Sequence, residues 1–287
     1  EGLKQLPHLC VDLTVTSPPY DDLRHYNGYS FDFEGIAREL FRVTKRGGVA
    51  VWVIGDATVN GSETGTSFKQ ALYFLELGFN LHDTMIYEKA GFSNPSNTRY
   101  HQSFEYMFVF LKGKLKTFNP IEDRKVKYDG PWGKNTKRQK DGTLKEMPSC
   151  KNNKVGRRYN IWRYSIGRGN STKDDIAFEH PAIFPEDLAK DHILSWSDIG
   201  DVVLDPMCGS GTTCKMAKWL QRRYIGIDIS EEYCKIAEKR LRKTFPLPLE
   251  SLRSKQSELK LEEKRLIPLL EQIKINNFLD STIFKRE

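Results

Sequence analysis

The chain is 287 residues long, 38% hydrophobic and 29% charged, with a formal charge of +7 and a pI near 9.0, a size that suits one α/β domain carrying an insertion and a tail. No run of about eighteen apolar residues is present, which argues against a membrane-spanning helix, and Glu1-Gly2-Leu3-Lys4 does not read as a signal peptide. Five scattered cysteines (Cys10, Cys150, Cys208, Cys214, Cys234) with no C-x-x-C pair argue against a disulfide scaffold or a zinc site, so no metal is expected and a cytoplasmic protein with reduced thiols is.

Val11 to Thr16 alternates as a strand and runs into Ser17-Pro18-Pro19-Tyr20, where two prolines stop it. Helical spacing follows over Phe31 to Val43, with Lys45-Arg46-Gly47-Gly48 as a basic, glycine-ended helix stop. Val49 to Ile54 is continuously apolar, as in a strand buried on both faces of a parallel sheet. Ser67 to Leu77 predicts a helix, and Phe79 to Glu88 and Glu105 to Leu111 predict strands. From Lys112 to Lys173 the periodicity gives way to Gly, Asn, Lys and Arg with interleaved Tyr128, Trp132, Tyr159, Trp162 and Tyr164, which reads as a functional insertion. Order returns at His180, with a helix over Leu188 to Trp196 and a short strand, Val202 to Leu204. A glycine turn then opens a helix running to Leu220, followed by a strand, Tyr224 to Asp228, and a helix, Glu231 to Leu241. After Pro246 and Pro248, Leu252, Leu259, Leu266, Leu269 and Leu270 suggest an amphipathic helix packed on its own domain. Strand–helix alternation on both sides of the insertion predicts an α/β fold with a Rossmann-like, doubly wound mixed sheet. The expected divisions are 1–111, 112–173, 174–245 and 246–287.

The charge is concentrated in the insertion. Lys112 to Lys173 holds 18 Lys/Arg against 5 Asp/Glu, a net +13, which leaves −6 for the rest of the chain. A basic module on a neutral-to-acidic body suits a nucleic-acid partner.

Two constellations carry chemistry. In Val203-Leu204-Asp205-Pro206-Met207-Cys208-Gly209-Ser210-Gly211-Thr212-Thr213 a strand delivers the chain to a glycine turn that opens a helix. Glycine lets the backbone bend sharply and a ligand approach without a Cβ in the way, and the helix N-terminus presents free N–H groups. The next strand ends in Asp228, placed to accept hydrogen bonds from a ribose diol; no Gly-Lys-Ser/Thr follows, so this is not a Walker A loop. The second constellation is Ser17-Pro18-Pro19-Tyr20 at a strand end. Its prolines leave carbonyls without local N–H partners, Ser17 adds an acceptor hydroxyl and Tyr20 a flat ring. Two acceptors holding the N–H bonds of an aromatic amine would localise its lone pair, after which attack on a methylsulfonium carbon needs mainly positioning. On these residues alone, a Ser-Pro-Pro loop with a packing tyrosine reads equally well.

Together the motifs resemble the β-class DNA amino-methyltransferases (N4-cytosine/N6-adenine type) of restriction–modification systems. Their catalytic motif is Asp/Asn/Ser-Pro-Pro-Tyr/Phe and their cofactor loop Asp-Pro-Phe-x-Gly-Ser-Gly-Thr-Thr. His180-Pro181-Ala182-Ile183-Phe184-Pro185 resembles the His-Pro-x-x-x-Pro stretch lining the methionine end of the cofactor, and Tyr224 to Asp228 the second cofactor strand. The resemblance covers roughly Asp12 to Leu241. It implies the S-adenosylmethionine-dependent methyltransferase fold, with the insertion as target recognition region and double-stranded DNA as partner. It places catalysis at Ser17, Pro18, Pro19 and Tyr20. It places the cofactor S-adenosyl-L-methionine at Asp205, Pro206, Met207, Gly209, Ser210, Gly211, Thr212, Asp228 and Ile229, with His180, Ala182, Phe184 and Pro185 at the methionine end. It further implies a separately acting cognate restriction endonuclease, a monomer or homodimer, and a nucleoid-associated protein of a bacterium, archaeon or phage. Catalytic motif first and cofactor loop last is the β-class order, which favours DNA over RNA. Met207 departs from the usual Phe, a tolerable apolar exchange.

Ser17, and Asp22-Leu23-Arg24-His25-Tyr26 after it, lean toward N4 of cytosine over N6 of adenine. Carbon-5 methylation is disfavoured, because Pro148-Ser149-Cys150 lacks the context of a nucleophilic thiolate. A silent DNA-binding relative should have lost Ser17-Pro18-Pro19-Tyr20 or Asp228, and a dinucleotide-dependent oxidoreductase would leave the Ser-Pro-Pro-Tyr loop unexplained. His101 and Glu105 could be read as a base pair for catalysis; a part in shaping the base pocket or the sheet is the favoured reading.

Overall fold

A computed structural model describes residues 1–20, 31–91, 97–126, 135–147, 155–253 and 282–284. Within the larger of its two compact units, Glu1–Asn119 with Asn160–Glu287, strands β1 (Val11–Thr16), β2 (Thr44–Ile54), β3 (Asn80–Lys89), β4 (Phe104–Leu111), β5 (Ile161–Tyr164), β6 (Val202–Asp205), β7 (Arg223–Ile227) and β8 (Thr282–Phe284) form one sheet. Its order is β5-β3-β4-β2-β1-β6-β7-β8. Only β4 runs antiparallel to its neighbours. The central strands β1 and β6 are buried along their whole length, as strands covered on both faces must be.

The helices are α1 (Phe33–Val43), α2 (Thr66–Glu76), α3 (Glu186–Trp196), α4 (Thr212–Trp219), α5 (Glu231–Arg242) and α6 (Leu249–Arg253). Two begin on side-chain caps: Asp32 accepts from Gly35 N at 3.0 Å and Ser230 from Tyr233 N at 3.4 Å. No helix among the described residues is long and apolar enough to cross a membrane.

Each helix and long strand falls within a few residues of its predicted position. Within the sheet three segments differ, the first being Thr282–Phe284, a strand paired in parallel with β7 in the tail where only helix is expected. Lys45-Arg46-Gly47-Gly48 is not a helix stop: α1 ends at Val43 and the segment lies inside β2, where the pairing with β1 slips between Val11 and Leu13. Gly47 takes φ +85°, and a Cβ there would lie 2.9 Å from the Lys114 carbonyl, so the glycine serves a bulge. Ile161–Tyr164, expected inside the irregular insertion, extends the sheet beside β3, with Trp162 and Tyr164 only 6% and 8% exposed. These aromatics are therefore core packing; Trp132 lies outside the described residues, as do 21–30 and the tail leucines 259–270.

The second unit, Pro120–Tyr159, contains the hairpin Asn135–Arg138 with Leu144–Met147 and a short antiparallel pair of Arg124–Lys125 with Val155–Gly156. Arg158 binds Asp123, and the Arg124 guanidinium lies 4.6 Å from the centre of the Tyr159 ring. This unit holds 12 Lys/Arg against 5 Asp/Glu.

Candidate active site

The chain leaves β1 toward β2 on one side and returns through β6 on the other, so β1 and β6 flank the point where the strand order reverses, the place where open α/β sheets bind ligands. Their carboxyl ends carry the two constellations found in the sequence. The Thr16 hydroxyl donates to Asp205 Oδ1 at 2.7 Å and the Thr213 hydroxyl to the Val15 carbonyl at 3.1 Å, tying the strand before Ser17-Pro18-Pro19-Tyr20 to both ends of the glycine loop. Asp205 also accepts from Met207 N at 3.2 Å. Burial raises its pKa to about 6 against the pull of these hydrogen bonds.

In the glycine loop, Gly209 and Gly211 take φ +49° and +78°. A Cβ on Gly209 would lie 2.7 Å from His180 Nε2, and one on Gly211 the same distance from the Ala237 Cβ. The loop therefore needs glycine for conformation and for space. His180, distant in sequence, is set by Ala182 N donating to its Nδ1 at 3.1 Å and by the Tyr233 ring 4.2 Å away. Asp228, just past β7, accepts from Gly209 N at 2.8 Å and from Ser230 N at 2.9 Å. It thus braces the glycine loop and the start of α5, and burial pushes its pKa up. Met207, Ile229, Ala182 and Phe184 are half-buried around this region, while Pro206, Ser210 and Thr212 are buried and Pro185 caps α3.

At the other constellation, Pro18 is buried and Ser17, Pro19 and Tyr20 are partly exposed. The Tyr20 hydroxyl lies 2.9 Å from Ser17 Oγ and 2.8 Å from Glu105 Oε2, and 3.3 Å from the Val53 carbonyl. Glu105 reaches this point because β4 is antiparallel, which brings its first residues to the carboxyl ends of its neighbours. Its other oxygen pairs with Lys89 Nζ at 2.6 Å. Burial, and then the Glu105 charge, raise the Tyr20 pKa well above that of an ordinary phenol, so the hydroxyl keeps its proton. His101 is exposed, and Glu105 faces Tyr20.

One group escaped sequence reasoning. Arg240 of α5, only 1% exposed, donates to the Ser210 carbonyl at 2.7 Å, to Thr212 Oγ1 at 3.1 Å, to Asp174 at 3.0 Å and to Glu186 at 2.7 Å. Lys215 of α4 joins the same two acids, each at 2.7 Å. The available signal was a charged residue at the buried spacing Ile236, Ala237, Arg240, Leu241 of a predicted helix.

A DNA methylase family profile matches residues 11–239. The chain is 60% identical over 243 residues to the orphan methyltransferase M.BamHII of Bacillus amyloliquefaciens, covering 81% of this chain and 89% of that one. Its fold matches a DNA modification methylase of Thermus thermophilus, solved with S-adenosyl-L-methionine, with a TM-score of 0.55 at 26% identity over 85% of this chain and 92% of that one. It also matches the cytosine-N4-specific PvuII DNA methyltransferase, with a TM-score of 0.60 at 17% identity over 88% and 86%. The fold carries its two constellations side by side at the sheet's switch point, the profile spans both, and the chain belongs to the N6/N4 family of DNA methylases.

Proposed function

We propose that this DNA methyltransferase methylates N4 of cytosine, with Ser17, Pro18, Pro19 and Tyr20 as the reacting loop. The observation that carries the reading is the 2.7 Å bond from Thr16 to Asp205, which sets that loop against the glycine loop. The cofactor is S-adenosyl-L-methionine, which supplies an electrophilic methyl group on a sulfonium. The residues present suit it: Gly209 and Gly211 have no room for a side chain, and Asp228 ends the neighbouring strand half-buried with a carboxylate for a ribose diol. His180, Ala182, Phe184 and Pro185 would close the methionine end.

The target base is taken out of the duplex at a cost of a few kcal/mol and stacks on Tyr20. Ser17 Oγ and the Pro18 carbonyl hold its amine for direct transfer with no covalent enzyme–base bond. Serine as the first residue of the motif supports cytosine; Asp22 to Tyr26, which lean the same way, lie outside the described residues. Double-stranded DNA is gripped through the basic segment 112–173. DNA from an expressing host, digested to nucleosides and compared with standards by mass spectrometry, should contain N4-methylcytosine. N6-methyladenine would keep the loop's role and overturn the base, and 5-methylcytosine would remove both.

A further inference from the structure

The Tyr20 hydroxyl has one proton and three oxygens within reach. Glu105 Oε2, at 2.8 Å, is the best acceptor of the three, because a carboxylate takes a hydroxyl proton more strongly than a carbonyl at 3.3 Å or another hydroxyl does. The rest of the network follows from that choice. With its proton committed to Glu105, Tyr20 Oη can only accept from Ser17, and the Ser17 proton lies along that 2.9 Å contact. Ser17 Oγ is left facing the substrate with lone pairs alone. Lys89, at 2.6 Å from the opposite oxygen, holds the carboxylate in this orientation.

We propose that Glu105 is a positioning residue of the methyl transfer: through Tyr20 it fixes Ser17 as a hydrogen-bond acceptor for the base amine and then receives the proton that the amine loses. The proposal rests on the amine-methylation reading above. As the amine nitrogen bonds to the methyl carbon, the carbon–sulfur bond breaks and its electron pair stays on sulfur. The nitrogen is left with one proton too many and a positive charge. That proton passes to Ser17 Oγ, the Ser17 proton to Tyr20 Oη, and the Tyr20 proton to Glu105 Oε2. One N–H and two O–H bonds break and three O–H bonds form. Tyr20 stays neutral throughout, as its raised pKa requires. Glu105 becomes a neutral acid and later returns its proton to water. The charge that entered on the sulfonium is thereby cancelled within the site.

Glu105→Gln tests this with little change of shape. Lys89 has only donors, so it holds the amide oxygen and turns the amide NH2 toward Tyr20, reversing the direction of the chain. Tyr20→Phe removes the middle link while keeping the ring and the Glu105–Lys89 pair. The readouts are single-turnover transfer of a labelled methyl group to unmethylated bacterial genomic DNA, and cofactor affinity by calorimetry. Each variant should lose about 100-fold or more in the transfer rate, with cofactor affinity within about threefold of the parent. The double variant should be no slower than the slower single, because the two act as one unit. Three results would overturn the proposal: Glu105→Gln within about threefold of the parent rate, losses that multiply in the double variant, or a fall in cofactor affinity that tracks the rate. If Glu105→Gln does not fold, Tyr20→Phe decides alone, and a parent-like rate there overturns the proposal. A parent protein that methylates no DNA amine would instead sink the reading beneath it.

Discussion

Asp228 and Asp205 are both carboxylates at strand ends, but one faces the half-buried loop and the other is sealed between strands. Asp228→Ala removes an acceptor that also holds Gly209 N, an interaction on the order of 1.5–3 kcal/mol, so cofactor affinity should fall at least about tenfold. Calorimetry giving the parent affinity for a folded Asp228→Ala protein would show that the cofactor does not use this acid. For Asp205 the prediction concerns pH. Its folded pKa of about 6 lies above the 3.8 of the free side chain. The folded state therefore holds the proton more tightly, and this contribution to stability is full below about pH 4 and lost as pH rises through 6. Asp205→Asn removes the titration. The stability of the parent relative to Asp205→Asn should grow by up to about 3 kcal/mol between pH 7 and pH 4. Urea unfolding at several pH values measures it, and a constant difference across that range would contradict the assignment.

At the scale of elements, hydrophobic spacing located the helices and the long strands, because each buries a face whose period is written in the sequence. Both chemical loops were legible for a related reason: Pro18-Pro19 and Gly209-Gly211 restrict the backbone whatever surrounds them. What stayed hidden depends on contacts between distant segments. Ile161–Tyr164 is only four residues long and pairs with a strand over seventy residues earlier, so nothing local marks it as part of the sheet. The bulge at Gly47 looked like a helix stop because glycine after Lys-Arg serves both. Glu105 was visible, but its approach to Tyr20 depends on the antiparallel sense of β4, which no local pattern reports. The Arg240 network is of the same kind: it joins α5, α3, α4 and the glycine loop through side chains from distant stretches of chain. Arg240→Ala would leave Lys215 alone to balance Asp174 and Glu186, and should cost about 1.5–3 kcal/mol in chemical denaturation. A loss under about 1 kcal/mol would mean that the network is not structural.

For the whole molecule, the position of β5 bears on where the basic segment, proposed above to grip DNA, can be cut. Deleting 112–173 would remove a strand of the sheet, whereas replacing 120–159 by a Gly-Ser linker spares it and removes 12 Lys/Arg. The shortened protein should keep cofactor affinity and lose duplex affinity, while the parent's DNA affinity falls steeply with salt. Undiminished duplex binding with the same salt slope would place the recognition surface elsewhere. The bond from Thr16 to Asp205 spans 189 residues, and this separation also matters while the chain is being made. During synthesis β1, lined by Val11, Leu13 and Val15, can pair with β2 almost at once, but its other edge waits for β6. At ribosomal speeds of about 5–20 residues per second, that wait is about 10–40 s. For that interval the nascent chain presents an open, apolar strand edge of the kind that pairs with other chains. Yield from a fast, crowded expression host should therefore be limited by this half-built sheet, and slower translation or co-expressed chaperones should raise it.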